Sequence, residues 1–325
     1  MLTRARALTL LLFLALSFQV ACREEAVSEP IPIILDTDIG SDIDDTWALA
    51  LLLARPEFEL KLVVTDYGDT RERARLAARF LEASGYAHVP IGIGMPTEGT
   101  PVFQKEWVGD YRLEDYPGDV FEDGVQAMID TILGNPEPVR LLVIGPAPNI
   151  HEALRREPAI ARKAFVYSMG GSIKRGYDSS SEPSAEYNVQ RAPEAASAMY
   201  SAGWPVWLAP LDTAGTIQLQ GERYQRLLAA TSPGLQALIA NYGAWSDSAD
   251  WVDFDSETES SILFDTLAVA LILHPEFCAV EELKLVVSHD GFTRVAPHGS
   301  PVRVATEWQN YDQFLDWLVD SLLIF

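Results

Sequence analysis

Residues Ile33–Leu53 read IILDTDIGSDIDDTWALALLL, and the rest of the chain is organised around them. The opening residues, with Ile31 ahead of Pro32, form an apolar run of the length expected for a buried strand. Five aspartates follow within ten positions: Asp36, Asp38, Asp42, Asp44 and Asp45. The run Trp47–Leu53 then reads as a helix buried on most sides. The acids therefore lie where a strand gives way to a helix, which is where open α/β sheets bind ligands. Capping explains any one of them, because a carboxylate is favourable in a helix's first turn, and Asp42 is expected to cap. It does not explain all five. Like charges this close raise one another's pKa unless a cation sits among them. Oxygen-only ligands point to a hard ion, calcium or magnesium, rather than zinc.

The 325 residues are 48% apolar and 22% charged, a composition that supports a sizeable core and fits one large α/β domain. A net charge of -23 argues against nucleic acid as a partner and against self-association through charge alone, while leaving a homo-oligomer open. Two cysteines, Cys22 and Cys278, provide no disulfide framework. The N-terminal MLTRARALTLLLFLALSFQVAC has a basic start and an apolar run, Leu8–Phe18, too short to span a bilayer comfortably. Residues 1–21 are accordingly read as a signal peptide, 22–30 as a polar tether and 31–325 as the functional domain. Val20-Ala21-Cys22 is similar to the cleavage site of bacterial lipoproteins, although Gln19 replaces the usual leucine. Cys22 is the expected lipidation site, with an ordinary secretory signal as the alternative. The expectation is an exported protein, lipid-anchored at the cell envelope or periplasmic, touching membrane only through that lipid.

Further along, Leu60–Thr65, Val89–Ile93, Arg140–Ile144, Ala164–Met169, Pro205–Pro210 and Glu282–Val287 read as strands. Helices are expected over Arg71–Ser84, Phe121–Leu133, from Ile150, and over Pro193–Ala202, Glu222–Ala230, Gly234–Tyr242, Ser260–Leu273 and Trp308–Leu322. The arginines of Arg71–Ser84 are read as a solvated face. Met95–Gly118 reads as a long loop, either a lid or a plain insertion, and Ala244–Glu259 as irregular. Alternating strands and helices imply a mainly parallel, Rossmann-like sheet with helices on both faces, in a single domain. Asp265 stands out because an acid within the apolar stretch SSILFDTLAVALIL is costly to bury unless paired or metal-bound.

Taken together these motifs resemble the nucleoside hydrolases of the inosine–uridine-preferring type. Asp36–Leu53 is similar to that family's N-terminal aspartate signature with two extra residues. LVIGPAPNI (Leu142–Ile150), MGG (Met169–Gly171), AEYN with PEAA (Ala185–Asn188, Pro193–Ala196) and FDTLAV (Phe264–Val269) follow in order. The resemblance implies calcium-dependent hydrolysis of the N-glycosidic bond of a ribonucleoside or related riboside. It implies Asp38, Asp45, Asp265 and the main-chain carbonyl of Ile144 as calcium ligands, and Asp38 as the base for the attacking water. Asp44, Asp69, Glu186 and Asn188 would bind substrate, with Asp36 in support. The chemistry asks for such residues: an oxocarbenium-like sugar is stabilised by carboxylates and an amide, and calcium acidifies water weakly enough to need a carboxylate base.

Three positions depart from the family pattern. Asp69 stands where asparagine is usual, and is read equally as a sugar contact or as the cap of the next helix. Ser180 falls near the family's loop asparagine. Phe264 replaces the histidine that precedes the metal-binding aspartate in many members, which removes a proton donor for the leaving base; Tyr242, His151 and the segment around Trp245 are the candidates to replace it. Two other functions stay open at this point: a calcium-held nucleoside- or sugar-binding protein without turnover, and a phosphatase using Asp36-Thr37-Asp38.

Overall fold

The computed structural model describes residues 29–251 and 253–325. Apolar runs with β-branched residues become the strands Ile31–Thr37 (β1), Phe58–Thr65 (β2), Ile91–Ile93 (β3), Val120–Phe121 (β4), Val139–Val143 (β5), Ala164–Met169 (β6) and Val206–Ala209 (β7). Cys278–Val287 (β8), Thr293–Val295 (β9) and Ser300–Trp308 (β10) follow. The sheet order is β4-β3-β2-β1-β5-β6-β7-β10-β8-β9, parallel except where β8 pairs antiparallel with β10 and β9.

The helices are Asp44–Ala54 (α1), Thr70–Ala83 (α2), Lys105–Val108 (α3), Gly124–Gly134 (α4), Pro148–Arg156 (α5) and Tyr187–Arg191 (α6), then Pro193–Ser201 (α7), Leu211–Ala214 (α8), Gly221–Leu228 (α9), Pro233–Ser248 (α10), Thr266–Leu273 (α11) and Tyr311–Leu322 (α12). One face of the sheet packs against α1, α2, α10, α11 and α12, and the other against α4, α5 and α7. The expected α/β architecture is thus the observed one. Among the described residues no helix is long and apolar enough to cross a membrane.

Strand order places the site. From β1 the chain runs outwards through β2, β3 and β4, then returns to β5 on the other side of β1. The crevice at this reversal lies beyond the C-terminal ends of β1 and β5, where doubly wound sheets bind ligands. The Ile144 N–H donates to the Asp36 carbonyl at 2.9 Å, so the two strand ends stay in register up to the crevice. α1 is buried at every position and lies beside α11, whose eight residues are all apolar or Thr. This pairing brings the first turn of α1 to that of α11.

Several elements differ from the sequence reading. α11 begins at Thr266, not Ser260, because the segment before it is held extended: Ser260 N–H donates to the Leu219 carbonyl and Leu263 N–H to that of Ile217. Asp265 is therefore at the helix's N-terminal boundary rather than in its interior. α10 continues to Ser248, burying Tyr242 and Trp245, where an irregular stretch was expected from Ala244. α4 starts at Gly124, since Asp123 accepts from Gln126 N–H and Val120–Phe121 pairs as β4. The segment 95–118 contains α3 and packs into the core through the buried Val102, Gln104, Val108 and Leu113, and its Thr100 lines the cavity that opens at the crevice.

Candidate active site

A cavity of ≈ 510 Å³ opens at the crevice, a volume suited to a small molecule. Asp38, Asp44, Asp45, Ile144, Glu186, Asn188 and Asp265 all line it. They meet because the loops after β1, β5 and β6 share one edge of the sheet, and because α11, lying beside α1, brings Asp265 to the same place. Asp69 does not join them. It is exposed and caps α2, accepting the Glu72 N–H at 3.1 Å, so the capping reading is the one its geometry fits. Asp42 lines the cavity instead of capping: Ile43 occupies the N-cap of α1, and the Asp42 carboxylate accepts the Ile43 N–H.

Asp44, Asp45 and Asp265 each place a carboxylate oxygen within 4.8 Å of the others, all buried. Thr37 donates its hydroxyl to Asp45, and the Asp265 N–H reaches Asp44 Oδ2 at 3.3 Å. Burial raises all three carboxyls well above their ordinary values. Mutual repulsion and the charge of Asp38 add to that rise. Asp38 is 3% exposed, and its Oδ2 has no hydrogen-bond partner. Burial raises its pKa as well, opposed chiefly by the Arg73 guanidinium.

Arg73 escaped the sequence reading, which gave the arginines of this helix to solvent. It is fully buried. Its guanidinium donates to the carbonyls of Tyr67 at 2.6 Å and Ile39 at 2.9 Å, to that of Asp38, and to Ser41 Oγ at 2.8 Å. One side chain thus fixes the backbone of the aspartate loop from behind while supplying positive charge. The signal was present: Arg73 shares a stripe with Leu76, Ala77 and Phe80 at helical spacing. Asp66 was likewise passed over. It is buried beside Asp36, accepts the Ala147 N–H at 3.0 Å, and has its pKa pushed well up by burial and by the charges of Asp36 and Asp38. Tyr67 and Ala147, flanking it, both have positive φ, a conformation uncommon outside glycine.

Asp36 is fully buried and raised to about 7 by burial, against the hydrogen bond that Asn149 Nδ2 donates to it. Enclosed in this way, it is in no position to act as a phosphatase nucleophile. Gly145 is required where the loops meet, since a Cβ there would stand 2.4 Å from Asp66 Oδ1 and 2.9 Å from the Asp38 nitrogen. Gly40 turns the aspartate loop at φ 105°, against Val102.

Glu186 is buried and accepts three main-chain N–H groups, from Gly171, Asn188 and Val189, at 2.8–3.1 Å. Burial raises it to about 7 despite these bonds. Asn188 Nδ2 donates to the Ile144 carbonyl at 2.8 Å, which orients that oxygen at the cavity wall. Phe264 lines the cavity edge-on to Tyr177, ring centroids 6.2 Å apart. Of the proposed substitute donors, Tyr242 is buried outside the lining and donates to the Glu259 carbonyl, and His151 is exposed on α5. Trp245 does line the cavity.

The sequence matches the inosine-uridine preferring nucleoside hydrolase family over residues 33–316, and the chain belongs to that family. A pyrimidine-specific ribonucleoside hydrolase of Citrobacter koseri is 29% identical over 284 residues, covering 81% of this chain and 86% of the relative. A non-specific ribonucleoside hydrolase of Klebsiella pneumoniae is 29% identical over 273 residues, covering 80% and 85%. The solved purine-preferring ribonucleoside hydrolase from Gardnerella vaginalis shares the fold at 22% identity with a TM-score of 0.72, over 90% of this chain and 98% of the other. The protein is an enzyme, an N-glycosyl hydrolase of the nucleoside hydrolase type, cleaving the bond between ribose and base.

Proposed function

We propose that this hydrolase depends on calcium, that Asp38 is its general base, and that its favoured substrate carries a leaving group needing little protonation. The convergence of Asp44, Asp45 and Asp265 carries the reading. Three buried carboxylates gathered with no lysine, arginine or histidine among the described residues lining the cavity need a cation to stay ionised. An all-oxygen donor set fits a hard ion. Asp38, Asp45 and Asp265 with the Ile144 carbonyl would hold it, and the geometry favours adding Asp44. When bound, calcium offsets the carboxylate charge and coordinates sugar hydroxyls and water.

The chain's own groups do the rest. Asp38, with its main chain pinned by Arg73 and Oδ2 unpartnered, takes the proton of the attacking water. Glu186 is held rigidly by its three N–H donors, so its charge faces the sugar as positive charge grows there. Asn188 aligns the Ile144 carbonyl and presents its remaining amide valence to the cavity. A panel of nucleosides incubated with purified protein, with calcium and after chelation, tests the proposal through free base and reducing sugar. Release that stops on chelation and returns with calcium is expected. Undiminished release after chelation would contradict it.

Export is proposed from the leader alone, since Cys22 lies outside the described residues. Intact-mass analysis of membrane-fraction protein is expected to find a mature start at residue 22 with acyl groups attached. An unmodified Cys22 would remove the lipoprotein form.

A further inference from the structure

The rim of the cavity differs in chemistry from its floor. Tyr177 and Phe264 line it as an edge-on pair, and Trp251, exposed, lies edge-on to the almost wholly buried Trp245 at 6.4 Å. The same lining carries carboxylates that do not belong to the buried trio: Asp42, half-buried, and Asp178 and Asp253, exposed. Aromatic faces and carboxylates together favour a flat cation, which gains from the ring quadrupole and from Coulomb attraction. They disfavour an anion by the same terms. The position beside the metal-binding aspartate is the phenylalanine Phe264, which has no proton to give, so a base that would leave as an anion gets no help there.

We propose that the aglycone end of the cavity takes a flat, positively charged base: an N-ribosyl pyridinium or a ring-N-alkylated purine riboside. In such a substrate the ring nitrogen already bears the positive charge. Water's oxygen forms a bond to C1′ as the C1′–N bond breaks, and that electron pair returns to the ring nitrogen and neutralises it. One proton of the water passes to Asp38 and thence to solvent. The products are ribose, a neutral base and a proton, and no protonation of the leaving group is needed. The relatives named above are pyrimidine-specific, non-specific and purine-preferring, so family membership leaves this end of the site to be set by the residues that line it.

The inference rests on the riboside-cleaving site proposed above, and p-nitrophenyl riboside, which is neutral and needs little protonation, reports on that site separately. Nicotinamide riboside is compared with nicotinic acid riboside, which shares the labile pyridinium bond but adds a negative charge, and with inosine. With calcium present, kcat/KM for nicotinamide riboside is expected to exceed that for nicotinic acid riboside by about tenfold or more, and that for inosine by ~100-fold or more. Asp253→Asn should shrink the first ratio by raising KM for the cation more than for the other two ribosides. Equal rates on the two pyridinium ribosides, or inosine turned over as well as nicotinamide riboside, would overturn the inference; the latter would follow if the Tyr177 hydroxyl, which accepts the Tyr187 N–H, gave the missing proton. Failure to cleave p-nitrophenyl riboside as well would instead remove the underlying reading of the site.

Discussion

The floor of the cavity is made by the ends of β1, α1 and α11, and its rim by Tyr177 and Phe264, from a short 3-10 helix and a turn, with Trp251 beyond them. On the floor, charges of one sign are brought together by rigid elements, Arg73 braces the loop that carries Asp38, and the proposed cation would offset the remaining charge. At the rim the rings are uncharged: Phe264, half-buried, meets Tyr177 edge-on, and Trp251 stands exposed. Damage to the floor should therefore remove activity and metal response together, whereas changes at the rim should redistribute activity among substrates.

The largest effect is expected at the floor. Asp45→Ala or Asp265→Ala should lower kcat on the order of 100–1,000-fold or more, in steady-state assays with p-nitrophenyl riboside at saturating calcium. Near-normal turnover would detach that residue from the site. At the rim, wild-type protein should cleave p-nitrophenyl riboside ~100-fold or more faster than inosine, since acid catalysis is worth that much where it operates. Phe264→His should narrow the ratio by helping inosine. Comparable wild-type rates would mean that another donor works at the rim.

Much of the fold could be read from the sequence because β1, β2, β5, β6 and β7 are buried over most of their length and so appear as predominantly apolar runs. β9 and β10 could not: β9 is a three-residue edge strand, β10 mixes exposed and buried positions, and they carry Arg294, Arg303 and Pro301. Most of the floor was legible too, since acids at the end of a buried strand or in an apolar segment have few structural excuses. Asp69 stayed ambiguous because a helix cap and a sugar ligand call for the same residue type, and only the structure shows it capping α2. Arg73 and Asp66 were missed although each carried a signal, an apolar stripe for Arg73 and the end of a buried strand for Asp66, because the charged neighbours between Asp66 and Arg75 masked it. Tyr177 and Trp251 reach the rim only through tertiary packing.

Arg73 is where the floor can be broken without touching a candidate ligand. Arg73→Ala removes the guanidinium donor from the Ile39 and Tyr67 carbonyls, and leaves that of Asp38 with the Ser41 N–H alone, in a buried site, and should cost about 3–5 kcal/mol in chemical denaturation. Arg73→Lys should recover less than half, because one ammonium cannot span those acceptors. Full stability in Arg73→Ala would show that the aspartate loop does not need bracing.

A smaller effect follows from protonation. Asp36 and Glu186 are each raised to about 7 from ordinary values of 3.8 and 4.5. A carboxyl raised on folding contributes stability that is full below its unfolded value and is lost as pH rises through the folded one. Metal-stripped protein should accordingly melt at a lower temperature at pH 8 than at pH 5, and the stabilisation by calcium should grow over the same interval as protons cease to compete. A flat profile would mean that these carboxyls are not strained by burial.

The central claim, that the buried carboxylates are a calcium site, is tested most directly by calcium titration of metal-stripped protein in a calorimeter, wild type beside Asp265→Ala. The wild-type melting temperature should rise by roughly 5–10 °C at about a hundred times the dissociation constant, and the variant's should scarcely move. No rise in the wild type, or the same rise in Asp265→Ala, would contradict it.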